Sequence, residues 1–148
     1  MKRWLILWVY LAGAIALAGV AIHLGAILGG PAWYAYFGAP PVVVESARSG
    51  TLLAPISAAS IAGAMAICAA YAFSAAGSIQ PLPLLRLVLA IIATICLLRA
   101  LILAPLAILH PELRNTFEVV AAMVWGLAGV GFALGLAVAT RRPVTGNR

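Results

Sequence analysis

The stretch from Pro83 to Pro111, PLLRLVLAIIATICLLRALILAPLAILHP, constrains this chain more than any other. Beyond Arg86 near its start, its one charge is Arg99, deep inside the run. About 20 consecutive apolar residues match the ~30 Å hydrocarbon layer of a bilayer, and a segment with so few polar atoms has no reason to stay in water. The stretch reads as a transmembrane helix.

Arg99 does not veto the span. On insertion scales a central arginine costs about 2.5–3.5 kcal/mol, while each Leu, Ile or Val returns about 0.3–0.6 kcal/mol. The sixteen such residues between Leu84 and Leu109 return about 5–9 kcal/mol on that scale, so the apolar side wins. In the finished fold a guanidinium turned to lipid must snorkel, whereas one turned to protein needs acceptors for its N–H groups.

Composition extends the same argument to the whole chain. Of 148 residues, 66% are hydrophobic and 8% charged, against about 25% charged in an ordinary soluble domain; the mean hydropathy is +1.16. The expectation is one all-α transmembrane domain over residues 1–148, an integral membrane four-helix bundle. A net charge of +6 would suggest nucleic acid in a soluble chain. Here the basic residues stand at helix ends, so topology accounts for them, and the expected partner is the lipid bilayer rather than nucleic acid.

Four spans are expected, at about residues 4–28, 52–76, 84–110 and 116–140. The first follows Met1, Lys2 and Arg3 and ends at Gly29, Gly30 and Pro31. A signal peptide cut after Ala18 or Ala21 is the alternative, but the apolar run continues about ten residues further than such a core needs. Ala12, Ala16, Gly19, His23, Ala26 and Gly30 form a stripe of mostly small residues, a face along which membrane helices pack closely. Between the first two spans, Trp33, Tyr34, Tyr36 and Phe37 suggest an interfacial segment, with a short interfacial helix over Val42–Arg48. The second span carries a small face of Ala59, Gly63, Ala66 and Ala70. Pro105 should kink the third, because it leaves the carbonyl of Leu101 without its N–H partner. Asn115 and Glu118 have the spacing of a capping box that starts the fourth. Gly131 and Gly135, with Ala121 and Ala128, give that helix a close-packing side, and 143–148 reads as a flexible tail.

Basic residues set the expected orientation. Lys2, Arg3, Arg86, Arg141, Arg142 and Arg148 fall on one side, Arg48 and Arg114 on the other, which places both termini in the cytoplasm, in a cytoplasmic (inner) membrane. Glu45, Glu112 and Glu118 then lie toward the outer face.

Chemistry is sparse. An ionisable residue inside a span is a functional candidate by default, which singles out Arg99, either as a holder of an anionic group or as a structural tie of the bundle. By depth, Trp125 of the fourth span could receive it in a cation–π contact. Glu118 is a proton-coupling carboxylate or merely a cap. Glu45 and Arg48 read as a rim pair of little energy, and His23 and Tyr36 complete the set of ligand-binding candidates. His23 and His110 on separate helices are the only basis for haem or a metal, with no further ligand cluster, so neither a cofactor nor a metal is expected. Cys68 and Cys96 read as small buried hydrophobes, since thiolate chemistry needs a more polar setting. No P-loop, GxSxG, HExxH or zinc spacing occurs, so enzymatic activity is not indicated.

The helix count is similar to that of small multidrug exporters and of disulfide-generating quinone reductases. The first span, however, lacks the exporters' acidic residue, and both cysteines lie inside spans rather than outside them as in the reductases. The functional expectation is binding or transport of a small anionic or amphiphilic ligand in the outer half, lined by His23, Arg99 and Glu118 and covered by Trp33–Phe37. The first alternative is a non-catalytic accessory subunit whose small faces pack on partner helices or on a second copy, and the second is a haem or redox membrane protein.

Overall fold

Long runs of Ala, Leu, Ile and Val, broken only by Gly, Pro and short polar pieces, propagate helix wherever backbone groups must pair internally. The computed structural model describes residues 2–141. Its elements are α1 (Lys2–Tyr36), α2 (Pro41–Arg48), α3 (Leu53–Ala76), α4 (Leu85–Leu101), α5 (Leu103–Leu109), a 3₁₀ turn at Pro111–Leu113 and α6 (Thr116–Thr140). No strand occurs among the described residues. Arg142, Arg148 and the tail 143–148 lie outside them. Four helical stretches, Arg3–Tyr36, Leu53–Ala76, Leu85–Leu109 and Thr116–Thr140, are long and apolar enough to cross a membrane.

Two interruptions shape these helices. α1 runs past the expected stop at Leu28, but Gly30 breaks it with φ 66° and ψ −157°, a conformation that glycine adopts without steric cost. Pro31 then restarts the helix at a position where its missing N–H is no loss. Gly25 and Gly29 make room for the Trp33 ring, which occupies the space a side chain at Gly29 would need. In the third span, α4 stops at Leu101 and α5 resumes at Leu103, four and two residues before Pro105 and within the turn its ring disturbs.

The described chain divides into two compact units, residues 2–15 with 68–141, and Ala16–Ile67. In the first, all four long helices contribute to one core: Val9 and Ala12 of α1, Ala72 and Ala75 of α3, Leu89, Ile92 and Cys96 of α4, and Ala128 and Phe132 of α6. Gly131 is required there, because a Cβ would stand 2.6 Å from both the Ala12 Cβ and the Trp8 carbonyl oxygen. The α3–α4 connection is pinned to this unit. Buried Ser74 donates to the Gln80 carbonyl (3.1 Å) and accepts from the Leu82 N–H (3.0 Å), Tyr71 donates to the Pro83 carbonyl (2.9 Å), and the Tyr10 and Ser78 hydroxyls meet at 2.7 Å. Leu84 closes the connection with φ 53°, a left-handed conformation costly for a side chain with a Cβ.

In the second unit, Ala26 and Tyr34 of α1 pack with Val44 of α2 and Ala54 and Ala58 of α3. Ser46 of α2 accepts a bond from the Ala54 N–H at 3.0 Å, satisfying one of the orphan donors at the start of α3. The packing face of α3 is Ala54, Ala58, Ala62, Ala69, Ala72 and Ala75, one position away from the expected stripe, of which Ala59, Gly63 and Ala66 are exposed. Small residues occur all around this helix, so size periodicity could not select its buried side.

Only 22–28% of the apolar centre of each long helix is buried, and large apolar side chains are exposed along all of them. A surface of that kind is unsuited to water and matches hydrocarbon.

Candidate functional site

α4 and α6 form the hairpin that carries the site. Gly126 stands against Ala100 and Gly129 against Leu97, so the helices run antiparallel at close range. The absence of a side chain at Gly129 is what lets Leu97 approach, since an added Cβ would lie 2.8 Å from its Cγ.

At the start of α6, Asn115 is the N-cap, and its side-chain oxygen accepts the Glu118 N–H at 3.0 Å. Glu118 therefore sits in the first turn, where the unsatisfied N–H groups favour a negative charge. Its carboxylate Oε2 accepts from Nη2 of Arg99 at 3.3 Å. Both are partly buried, with side-chain exposures of 40% for Arg99 and 22% for Glu118.

The two are not neighbours by register. If the α4–α6 pairing continued along straight rods, Glu118 would face Ile108, nine residues or about 13 Å beyond Arg99. The ion pair thus requires Arg99 to extend along the helix axis toward the start of α6, the direction in which a lysine or arginine snorkels from the middle of a span. α5 does not interpose: α6 packs along α4 and barely touches α5, and no residue of α5 is buried. Arg114 closes this end by donating from Nε to the Ala107 carbonyl at 2.7 Å, a favourable place for a cation at a helix C-terminus.

The Arg99 guanidinium meets Glu118 through one nitrogen only. The Arg99 side chain is 40% exposed, so its guanidinium is not sealed inside the protein. A planar fork of N–H groups is the side chain best suited to grip a carboxylate or phosphate in two-point fashion.

The other sequence candidates have contacts of their own. Trp125, on α6, packs against the apolar core of its unit. His23, on α1, places Nδ1 2.8 Å from the Gly19 carbonyl of its own helix. Glu45 and Arg48 form an exposed pair at 3.8 Å on α2. Tyr36 is exposed and meets Phe37 edge-on at 5.1 Å, and with Trp33 they line a shallow aromatic cleft. These four residues (His23, Glu45, Arg48 and Tyr36) belong to the unit of Ala16–Ile67, whereas Arg99, Glu118 and Trp125 belong to the other. Cys96 is buried in the core of that other unit and Cys68 packs against it, both as free thiols. Among the described residues, no three His, Cys, Asp or Glu side chains converge as a metal site would require.

Sequence reasoning passed over Tyr34. Its ring is buried, at 6% exposure, and its hydroxyl has no hydrogen-bond partner. Four aromatics in five positions signalled an interface, but nothing in their order says which one turns inward. Comparison with family models, with curated proteins and with solved structures finds no match.

Proposed function

We propose that this chain is a multi-pass protein of the cytoplasmic membrane, with both termini in the cytoplasm, that binds a small anionic or amphiphilic ligand at Arg99. The observation that carries this reading is the guanidinium itself, placed in an otherwise uncharged span interior, tied to Glu118 by one contact of 3.3 Å, with 40% of the side chain exposed. Glu118 serves as the resident counter-ion of the guanidinium. An incoming carboxylate or phosphate takes the remaining N–H groups, and the low polarity of the surroundings strengthens that attraction. Glu118 keeps the guanidinium oriented.

The test is Arg99→Ala, with native mass spectrometry of the gently purified protein. The wild type is expected to carry a co-purified anion. The variant should lose it while keeping its oligomeric state and a Tm within a few degrees. A variant that keeps the ligand, or that disassembles, overturns the proposal. A second reading, an accessory subunit, draws on the exposed Ala59, Gly63 and Ala66 of α3, where Gly63 faces open space. It predicts that Gly63→Leu disrupts an assembly and that Arg99→Ala removes no ligand.

A further inference from the structure

We infer that the ligand of Arg99 is a lipid-like amphiphile, an anionic headgroup bearing an acyl chain, which enters sideways from the bilayer where α5 parts from α6. The inference rests on the reading of Arg99 as an anion site and adds the ligand class and its route.

Three features carry it. First, the close α4–α6 packing at Leu97–Gly129 and Ala100–Gly126 ends within one turn of Arg99. There the helix is interrupted at Ile102, and α5 diverges without burying a residue. Second, the surface at this fork is apolar: Leu101, Ile102, Val119, Val120 and Met123 are all exposed. A hydrated phosphate or small carboxylate gains nothing from such walls, whereas an acyl chain is matched to them and delivers its headgroup to the guanidinium. Third, the charges at the fork favour an added anion. Glu118 has compensation of its own from the positive end of α6, in whose first turn it stands, so Arg99 is the member of the pair with attraction to spare. Only Nη2 is engaged by Glu118, so the rest of the guanidinium can donate to a phosphate without Glu118 having to leave.

The probes are phosphatidylglycerol, phosphatidylcholine and water-soluble glycerol phosphate, titrated into delipidated protein in a neutral maltoside detergent and read by native mass spectrometry. Phosphatidylglycerol should bind at a ratio of one, at least tenfold more tightly than phosphatidylcholine, and Arg99→Gln should erase the difference. Ile102→Trp, which fills the fork and leaves the guanidinium in place, should weaken phosphatidylglycerol severalfold. Glycerol phosphate should not bind at millimolar concentration. If glycerol phosphate binds in an Arg99-dependent way and phosphatidylglycerol is no better than phosphatidylcholine, the lipid inference falls and the anion site stands. If Ile102→Trp changes nothing, the sideways route falls. If no anion responds to Arg99→Gln, both readings fall.

Discussion

Removing the two ends of the Arg99–Glu118 pair should have unequal consequences. At 3.3 Å the gross attraction is about 5 kcal/mol at an effective dielectric constant of ~20. Desolvation and side-chain ordering oppose it. With exposures of 40% and 22%, the net lies between the ~0–1 kcal/mol of a surface pair and the ~3–5 kcal/mol lost when a buried pair is broken. A coupling energy of about 2 kcal/mol is expected. Glu118→Gln strands a guanidinium in apolar surroundings and should cost about 2 kcal/mol. Arg99→Gln leaves a carboxylate that the α6 N-terminus still supports, so it should cost under about 1 kcal/mol. The double variant should resemble Arg99→Gln. The assay is reversible unfolding in mixed micelles of all four proteins, read by circular dichroism. If the single effects sum to the double within about 0.5 kcal/mol, the groups are not coupled and the reasoning from the ion pair is refuted.

Further substitutions test other parts of the account by the same unfolding measurement. Tyr34→Phe removes a buried hydroxyl that has no partner and should leave stability unchanged or raise it by up to about 1 kcal/mol; a loss above 1 kcal/mol would mean the hydroxyl is satisfied. Gly131→Ala drives a methyl into Ala12 and the Trp8 carbonyl and should cost about 1–3 kcal/mol, whereas Gly63→Ala meets open space and should gain about 0.5–1 kcal/mol. Equal effects at the two glycines would contradict the packing described for α3 and α6. Leu84→Gly, at φ 53°, should be neutral or stabilising by up to about 1 kcal/mol, because relief of the left-handed strain offsets glycine's entropy. Arg48→Ala, at an exposed 3.8 Å pair, should change stability by less than about 0.5 kcal/mol.

What the sequence revealed, and what it hid, follows from which signals are local. Hydrophobic run length marks the long helices because every backbone group in such a run must pair within its own segment, and the Asn115–Glu118 spacing marks the α6 cap because that bond spans three residues. Pro105 announces its interruption through the missing N–H. The end of α1 was harder: Gly29, Gly30 and Pro31 signal a break equally well whether the chain leaves the helix or turns and restarts it, as it does through Tyr36. The buried side of α3 could not be chosen, since alanines occupy several faces and the helix carries no polar stripe of the kind that marks the outside of a soluble helix. For the site, sequence supplied Arg99 and Glu118 separately. Their meeting depends on the reach of one side chain along the axis and on the departure of α5, neither of which is encoded in spacing. Tyr34 was invisible for the same reason, because its burial depends on α2 and α3 closing over one ring among four.

Beneath the ligand, the ion pair and the fork lies a single physical premise: lipid surrounds these helices, and Arg99 lies inside it. Substituted-cysteine accessibility in intact cells, in a background free of Cys68 and Cys96, tests that premise most directly. Labels at Gly38 and Pro111 should react with a membrane-impermeant maleimide from outside, labels at Ser78 only after permeabilisation, and labels at Ile95 or Val130, both exposed on the protein surface, in neither case. Reaction at Ser78 in intact cells, or ready labelling along the centres of α4 and α6, would contradict the account.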